Sequence, residues 1–313
     1  MANSIGRRMT ETTEFKWIQE ISESDARTSY PVTRILVDCH TEFCDSVIIA
    51  DSAIYGRMLF LDGELQSASA DEHIYHESLV HPIMSVTKAA SRVLVVGGGE
   101  GATVREVLKW APLRVDWVDI DGELVDLCRK HLRWDTVSSP DDARADCTVF
   151  THSAVHYQST DICDALTTLG QFDAIILDLP DPDGETGYLY SPEFWTHLTM
   201  HLAPSGKIVT HCGPVRPFGQ IGEGYQRMPS SLSSLISPSL SLNRTFYAQT
   251  IPSFQGEWGF MLYGDGDRDL TSNETQAPLS DKPLPPGLRV VDSAQLRTWF
   301  GGGSMLWRNA THK

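Results

Sequence analysis

The sequence lacks any run of roughly eighteen consecutive apolar residues, so no segment predicts a membrane-spanning helix. Its start, MANSIGRRMTETTEF, also lacks the apolar stretch of a secretion signal. The six cysteines form no C-x-x-C pair and are too sparse for a disulfide framework in a chain of 313 residues. We therefore expect a protein of the reducing cytoplasm that makes no membrane contact.

Basic residues are also scarce, with 25 Lys and Arg against 41 Asp and Glu, for a formal net charge of −16. Such a field repels a phosphate backbone and attracts small cations, so nucleic acid is excluded as the expected partner. Acidic balance also favours solubility in general, and it supports a cationic substrate only where a site agrees with it.

The first part of the chain predicts a small antiparallel sheet. Residues 33–67 contain the short apolar runs TRILVDC, DSVIIADSA and RMLFLDGELQS, separated by acidic residues, Gly and Ser. The following DEHIYHESLVHPIM has apolar residues at helical spacings. We predict an N-terminal β-rich domain with a connecting helix over residues 1–85.

From residue 86 the pattern changes to strands that alternate with helices. RVLVVGGGEG, VDWVDI, DCTVF and FDAIILDLPDP are the strand candidates, GKIVTHCGP is a later one, and FYAQTIPS with WGFMLYG predicts a closing hairpin. This alternation predicts an α/β fold, a Rossmann-like doubly wound parallel sheet over residues 86–265. Residues 266–313 turn polar and predict a linker and a C-terminal tail.

In such a sheet, ligands bind at the carboxyl ends of the strands, which here are followed by GGGEGA, DID, THSA and DLPDP. Glycines let the backbone turn tightly and approach a ligand, and the candidates are Gly97, Gly98, Gly99 and Gly101. Glu100 inside this run would repel a pyrophosphate, which argues against NAD. The same carboxylate suits a sulfonium with a terminal ammonium and disfavours a ligand that carries its own carboxylate.

Asp119 ends the second strand, about twenty residues past the glycine turn, where a carboxylate accepts both hydroxyls of a ribose. The alternative for Asp119 is an acid at a helix start, although Asp121 fits the helix N-cap better. Spacing does not by itself separate a nicotinamide cofactor from ligands like adenosylmethionine, because both present an adenosine ribose to this position.

These residues resemble a known family. LDGELQSASADEHIYHE, VLVVGGGEGATVREVLK, VDIDGELVDLC and DLPDP with LYSPEFW are similar to the successive signatures of the polyamine aminopropyltransferases, over roughly residues 33–264. GGGEG, HCGP and PSFQGEWGF resemble the thermospermine synthase branch more than ordinary spermidine synthases. The resemblance implies a small N-terminal β-domain, a fold like that of class I S-adenosylmethionine-dependent methyltransferases, a homodimer and no metal.

The resemblance also implies the reaction, which is transfer of an aminopropyl group from decarboxylated S-adenosylmethionine to a polyamine such as spermidine, with release of methylthioadenosine. It implies donor contacts from Gln66 and Glu100, a ribose contact from Asp119, and handling of the attacking amine by Asp178 with Tyr75. Four further positions are implied as substrate contacts: His76, Asp181, Phe254 and Trp258. Phe254 stands where many spermidine synthases have tyrosine.

The chemistry has a physical reason that does not depend on the family. An alkyl ammonium with a pKa of about 10.4 must lose a proton before its nitrogen can displace a thioether from a sulfonium carbon. Asp178, at the end of a strand, can orient the amine and accept that proton, while Tyr75 fixes the carboxylate. Without the family pattern, Asp178 also fits a loop cap and Tyr75 a half-buried core residue.

One departure from the family pattern is expected at THSA, where Ser153 stands in the place of an aspartate that holds the adenine amino group. A serine hydroxyl accepts a weaker hydrogen bond than a carboxylate does. Two alternatives therefore stay open. One uses intact S-adenosylmethionine, for methyl transfer or for transfer or cyclisation of its amino-acid arm, and the other is a non-catalytic polyamine-binding relative.

Overall fold

The computed structural model describes residues 16–21, 27–88, 90–137, 147–182, 184–215, 242–265 and 282–300. The first part is antiparallel throughout. Strands β1 (Lys16–Ile21) and β2 (Arg27–Val32) pair with each other, and a four-stranded sheet follows in the order β3 (Arg34–Cys39), β4 (Val47–Ser52), β5 (Gly56–Leu61) and β6 (Glu64–Ala68). The antiparallel strands predicted within residues 33–67 are confirmed, whereas the β1–β2 pair was not predicted.

The second part is a seven-stranded sheet in the order β12-β13-β11-β10-β7-β8-β9. Strands β11, β10, β7, β8 and β9 are parallel, and the β12–β13 hairpin adds to β11 in the antiparallel sense. The predicted doubly wound sheet is confirmed. Its strands are β7 (Arg92–Gly97), β8 (Arg114–Asp119), β9 (Val155–Ser159), β10 (Phe172–Asp178), β11 (Leu202–Pro214), β12 (Leu242–Ile251) and β13 (Gly256–Asp265).

Six helices accompany the sheets in the described part of the chain: α1 (Glu72–Val86), α2 (Ala102–Leu108), α3 (Gly122–His131), α4 (Ile162–Leu166), α5 (Pro192–Thr199) and α6 (Ser293–Phe300). Four begin at capping side chains, since Asp121 accepts from the amide of Leu124, Asp161 from that of Cys163, Ser191 from that of Phe194, and Asp292 from that of Gln295. No described helix is long and apolar enough to cross a membrane.

The third strand of the parallel sheet is not DCTVF, as predicted, but the following VHYQS, which pairs with β8 from Val115↔Val155 to Asp119↔Ser159. In the described part of DCTVF, the backbone amide of Val149 donates to Asp135 O, and Cys147 O accepts from the amide of Val137. Because those backbone groups are already bonded to residues 135–137, they are not available to the sheet.

Packing assigns two segments differently from the sequence. Helix α1, which the sequence analysis joined to the N-terminal domain, packs on α2 and on strands β10 to β13 of the large sheet. Residues 282–300 pack there as well, and Val291, Leu296, Trp299 and Phe300 are buried in the same apolar cluster as α1. This part of the predicted tail therefore belongs to the core, while residues 266–281 and 301–313 lie outside the described residues.

Candidate active site

A cavity of about 750 Å³ lies between the carboxyl ends of β7, β8, β9 and β10 and the N-terminal strands. Nine carboxylates line it: Glu20, Asp62, Glu64, Glu100, Asp119, Asp121, Asp161, Asp178 and Asp181. Among the residues that the structure describes, no lysine or arginine lines it. Such a lining attracts cations and offers no partner to a phosphate or to a ligand carboxylate.

The glycine turn after β7 packs closely against the end of β10. Gly97 and Gly98 have φ angles of +78° and +68°, in the left-handed region that favours glycine. A Cβ on Gly97 would lie 2.1 Å from the carbonyl oxygen of Asp178, and one on Gly98 would lie 2.7 Å from its Oδ2. These glycines therefore bring the turn against the carboxylate that the sequence predicts to be the base.

Both oxygens of Asp178 accept hydrogen bonds. The hydroxyl of Tyr75, on α1, donates to Oδ1 at 2.8 Å, and the hydroxyl of Thr103, on α2, donates to Oδ2 at 2.5 Å. Two donors from two helices fix the plane of the carboxylate at the cavity wall. The sequence analysis paired Tyr75 with Asp178 but missed Thr103, because a threonine in the first turn of a helix carries no local mark of such a role.

Glu100, within the glycine turn, lines the cavity and accepts a hydrogen bond from Ser67 Oγ at 2.6 Å. Burial is the main reason that the pKa of Glu100 is raised; the neighbouring His76 opposes the shift and Asp178 adds to it. A bound cation would reverse this effect by favouring the ionised form.

His76 is 1% exposed and lies behind the cavity wall. One ring nitrogen of His76 and one carboxylate oxygen each of Glu100 and Asp178 all lie within 4.8 Å of one another. The Nδ1 of His76 is 2.9 Å from Glu72 Oε2, which also accepts from Arg105 at 2.9 Å. Burial disfavours the charged imidazole, but the hydrogen bond and charge of Glu72, aided by Glu100, raise the pKa of His76 to about 9. This shift favours the imidazolium form of His76 beside the two carboxylates.

Asp119 ends β8 as predicted and is 8% exposed. Its Oδ1 accepts from the amide of Asp121, which itself caps α3 and accepts from the hydroxyl of Thr41. Burial raises the pKa of Asp119 to about 7, and the nearby Asp121 and Glu100 add to the shift. Asp119 lies at the cavity wall, next to the turn that carries Glu100.

The prediction for Ser153 is wrong in its position. Ser153 is exposed, comes before strand β9 rather than after it, and does not line the cavity. The residues at the carboxyl end of β9 are Thr160 and Asp161, and both line the cavity. Asp161 Oδ1 caps α4, and Oδ2 accepts from the hydroxyl of Tyr188 at 2.7 Å. A carboxylate therefore lies at the carboxyl end of β9, at a position that the sequence analysis did not consider.

An aromatic wall closes the other end of the cavity. The ring centroids of Phe254 and Trp258 lie 4.8 Å apart, and those of Phe254 and Tyr75 lie 6.0 Å apart with the rings edge to face. Strand β1 adds Glu20, which accepts from the hydroxyl of Tyr30 at 2.8 Å and whose pKa is raised mainly by burial. The sequence analysis missed Glu20, because it lies on the unpredicted β1.

The structure brings most of the predicted site residues to this one cavity. Those that line it are Gln66, Tyr75, Gly97, Gly98, Gly99, Glu100, Asp119, Asp178, Asp181, Phe254 and Trp258. Gly101 is in the turn but outside the lining, with a φ of +77°, and His76 lies behind the wall. Of the predicted contacts, only Ser153 is on another part of the surface.

An acidic cavity at the carboxyl edge of a Rossmann-like sheet, with a fixed carboxylate beside the glycine turn, defines the class. These features are typical of Rossmann-like enzymes that act on a cationic substrate.

Comparisons with known proteins give the family. The family model described as "Spermine/spermidine synthase domain" matches residues 72–270, and that described as "Spermidine synthase tetramerisation domain" matches residues 16–69. A polyamine aminopropyltransferase of Synechococcus sp. (strain JA-3-3Ab) is 36% identical over 282 residues, 87% of this chain and 80% of that protein. The thermospermine synthase ACAULIS5 of Arabidopsis thaliana is 30% identical over 271 residues, 85% of this chain and 75% of that protein.

Solved structures agree on the fold. The crystal structure of a spermidine synthase in complex with the transition-state analogue AdoDATO has a TM-score of 0.75 and 21% identity, covering 95% of each chain. The spermidine synthase of Thermotoga maritima has a TM-score of 0.73. The chain belongs to the spermine/spermidine synthase family, the polyamine aminopropyltransferases, as the resemblance in its sequence predicted.

Proposed function

We propose that this protein transfers the aminopropyl group of decarboxylated S-adenosylmethionine to a linear polyamine of the spermidine class, giving a thermospermine- or spermine-type product and methylthioadenosine. The observation that carries the proposal is Asp178, whose two oxygens are fixed by Tyr75 and Thr103 inside a cavity lined by carboxylates. Both substrates are cations, and their reaction requires one amine to lose a proton.

The reacting atoms would meet beside Asp178. The acceptor nitrogen, held by that carboxylate, attacks the aminopropyl carbon next to sulfur; a carbon–nitrogen bond forms as the carbon–sulfur bond breaks, and sulfur keeps the electron pair. The nitrogen proton passes to Asp178 and then to solvent. Tyr75 and Thr103 hold the carboxylate in place, so its alignment is set before the substrates bind.

The donor would lie along the glycine turn. Asp119 would accept from the ribose hydroxyls and Asp161 from the adenine amino group, while Glu100 and Gln66 would face the aminopropyl arm. The acceptor would extend past Asp181 and the aromatic pair Phe254 and Trp258 toward Glu20. Carboxylates at both ends suit a chain that carries several ammonium groups.

The two alternatives are disfavoured by the same cavity. Intact S-adenosylmethionine carries a carboxylate, which would face Glu100 without any lysine or arginine from the described lining to pair with it. A relative that only binds polyamines would not need the doubly fixed Asp178, which serves proton transfer rather than affinity.

Mass spectrometry of products is the test. Decarboxylated S-adenosylmethionine is incubated with putrescine, spermidine or spermine, and intact S-adenosylmethionine is the parallel donor. We expect an aminopropyl adduct of spermidine and release of methylthioadenosine with the decarboxylated donor alone. Asp178→Asn should lower kcat by about 10²- to 10⁴-fold, the usual contribution of a general base, while still binding methylthioadenosine. Unmodified amines with every donor, or product only from intact S-adenosylmethionine, would overturn the proposal.

Assembly is part of the same proposal. The sequence analysis expects a homodimer, and the family model that matches residues 16–69 is described as a tetramerisation domain, which supports a homo-oligomer built through the N-terminal strands. Trp17 and Ile21 on β1 are 60% and 52% exposed in the single chain, which suits such a contact. Light scattering of the purified protein gives the number of subunits.

A further inference from the structure

We propose that the C-terminal segment, residues 282–300, positions the turn of α1 that carries Tyr75 and His76, and that Glu77 is the residue through which it acts. The proposal rests on the proposed function, because its consequence for turnover is the alignment of Tyr75 with Asp178. The segment lies beyond residue 270, where the match to the synthase domain ends.

Glu77 is a buried carboxylate whose hydrogen bonds come from this segment. It is 1% exposed, and it accepts from three consecutive backbone amides, those of Arg289, Val290 and Val291, at 2.8 to 3.2 Å. No lysine or arginine of the described residues forms an ion pair with it. Successive amides that converge on one anion form an anion-binding nest, and here the anion is a side chain of α1.

Glu77 and Tyr75 are two positions apart on α1, so their side chains leave the helix on different faces. Tyr75 bonds Asp178 at the cavity, while Glu77 bonds the C-terminal segment on the outer side. The helix turn is therefore held from both faces. A shift on the Glu77 side would be transmitted to the phenol that fixes the proposed base.

Further contacts join the segment to the same helix at both ends. Lys282 Nζ donates to the carbonyl of Thr87, at the end of α1, at 2.9 Å. Near its start, the Arg289 guanidinium lies 3.9 Å from Glu72 Oε1, and the other oxygen of Glu72 bonds His76. The segment thus reaches the residues on both sides of Tyr75 and His76.

The segment is itself anchored in the core. Trp299 donates from Nε1 to the carbonyl of Ala248 at 3.1 Å, and its ring lies 5.1 Å from that of Tyr247. Tyr247 in turn donates to the carbonyl of Ser78 on α1 at 2.9 Å. Because its apolar side chains are buried in the core cluster, the segment has a fixed position relative to α1 and can hold Glu77 there.

The test is a double-mutant cycle between Glu77 and Tyr75 in the full-length chain. Glu77→Gln keeps the shape of the side chain but removes its charge and points an NH₂ group at one of the amides. Glu123→Gln, on the exposed first turn of α3, is the matched control. We expect Glu77→Gln to lower kcat about tenfold with the acceptor KM within about twofold, and to cause no further loss when Tyr75→Phe is already present.

Two outcomes overturn the proposal. The first is that kcat per folded molecule of Glu77→Gln is unchanged. The second is that the fold-losses in kcat of Glu77→Gln and Tyr75→Phe multiply in the double variant. A residue that acts through Tyr75 should cause no further loss once the Tyr75 hydroxyl is gone. If Glu77→Gln does not fold, Trp299→Phe, which removes the Nε1 donor to Ala248 far from the cavity, takes its place in the same cycle.

A measurement without turnover separates this proposal from the proposed function. The imidazole resonances of His76, assigned with His76→Gln, are compared by NMR in the ligand-free protein. We expect them to move in Glu77→Gln and to stay in place in Glu123→Gln. Unmoved resonances in Glu77→Gln refute the positioning role even if the enzyme is active, whereas absence of any aminopropyl product from the wild type refutes the function alone.

Discussion

Replacing Asp161 with asparagine tests the proposed contact between the adenine amino group and this carboxylate, which lines the cavity at the end of β9. Asparagine keeps the size of the side chain, its ability to cap α4 and an oxygen for hydrogen bonding. What it removes is the negative charge. The variant therefore isolates the strength that ionisation adds to a hydrogen bond from the adenine amino group.

The expected magnitude follows from that difference. A hydrogen bond to an ionised acceptor contributes about 1.5–3 kcal/mol, against about 0.5–1.5 kcal/mol for a neutral one. A loss of about 1.4 kcal/mol corresponds to about tenfold weaker binding. We expect donor KM to rise about tenfold in Asp161→Asn with little change in kcat, since the adenine is remote from the atoms that react.

Calorimetry with methylthioadenosine measures the same contact without turnover, because that product retains the adenine. Ser153→Ala is the control and should bind the nucleoside like the wild type, since Ser153 is exposed and outside the cavity. The reasoning is refuted if Ser153→Ala weakens nucleoside binding while Asp161→Asn leaves it unchanged.

Three further predictions concern the base, the pH dependence and metal. Thr103→Val removes the hydroxyl that donates to Asp178 at constant size, so kcat should fall about tenfold with donor KM unchanged, and Thr103→Ser should restore most of it; equal rates in all three proteins would contradict this. Burial raises the pKa of Asp119 to about 7, so this carboxylate gains its proton as the pH falls through 7. Donor KM should therefore rise as the pH is lowered from 8 to 6. A donor KM that stays constant across this range in steady-state assays would contradict the prediction. Steady-state turnover should be unchanged by EDTA, because the buried cation beside Glu100 and Asp178 is His76; a loss that added Mg²⁺ restores would show instead that the three side chains hold a metal.

The sequence alone predicted the α/β architecture and the glycine turn, which the structure places at the cavity wall. Alternating strands and helices predicted the doubly wound sheet, and the glycine turn with Glu100 predicted the cation site at its edge. These signals are local, since each motif lies within one strand and the loop that follows it, where periodicity and glycine content can be recognised.

The third strand shows where local signals fail. DCTVF and VHYQS are both short stretches with β-branched or aromatic residues, and either could extend the sheet by its composition. Pairing with β8 selects VHYQS, and that choice places Asp161, rather than Ser153, after the carboxyl end of the strand at the cavity. Asp161, rather than Ser153, is therefore the residue that we propose for the adenine contact.

Other contacts depend on chain segments that are far apart in sequence. Tyr75 and Asp178 are 103 positions apart, and Glu77 is 212 positions from Arg289. The family pattern supplied the first pair, while nothing local marks Thr103, Glu20 or Glu77 as a partner. The sequence by itself determined the alternation of strands and helices and the place of the glycine turn. Only tertiary packing decided which strand candidate joins the sheet and which side chains meet at the cavity, because such contacts arise between elements whose order in space the local pattern does not encode.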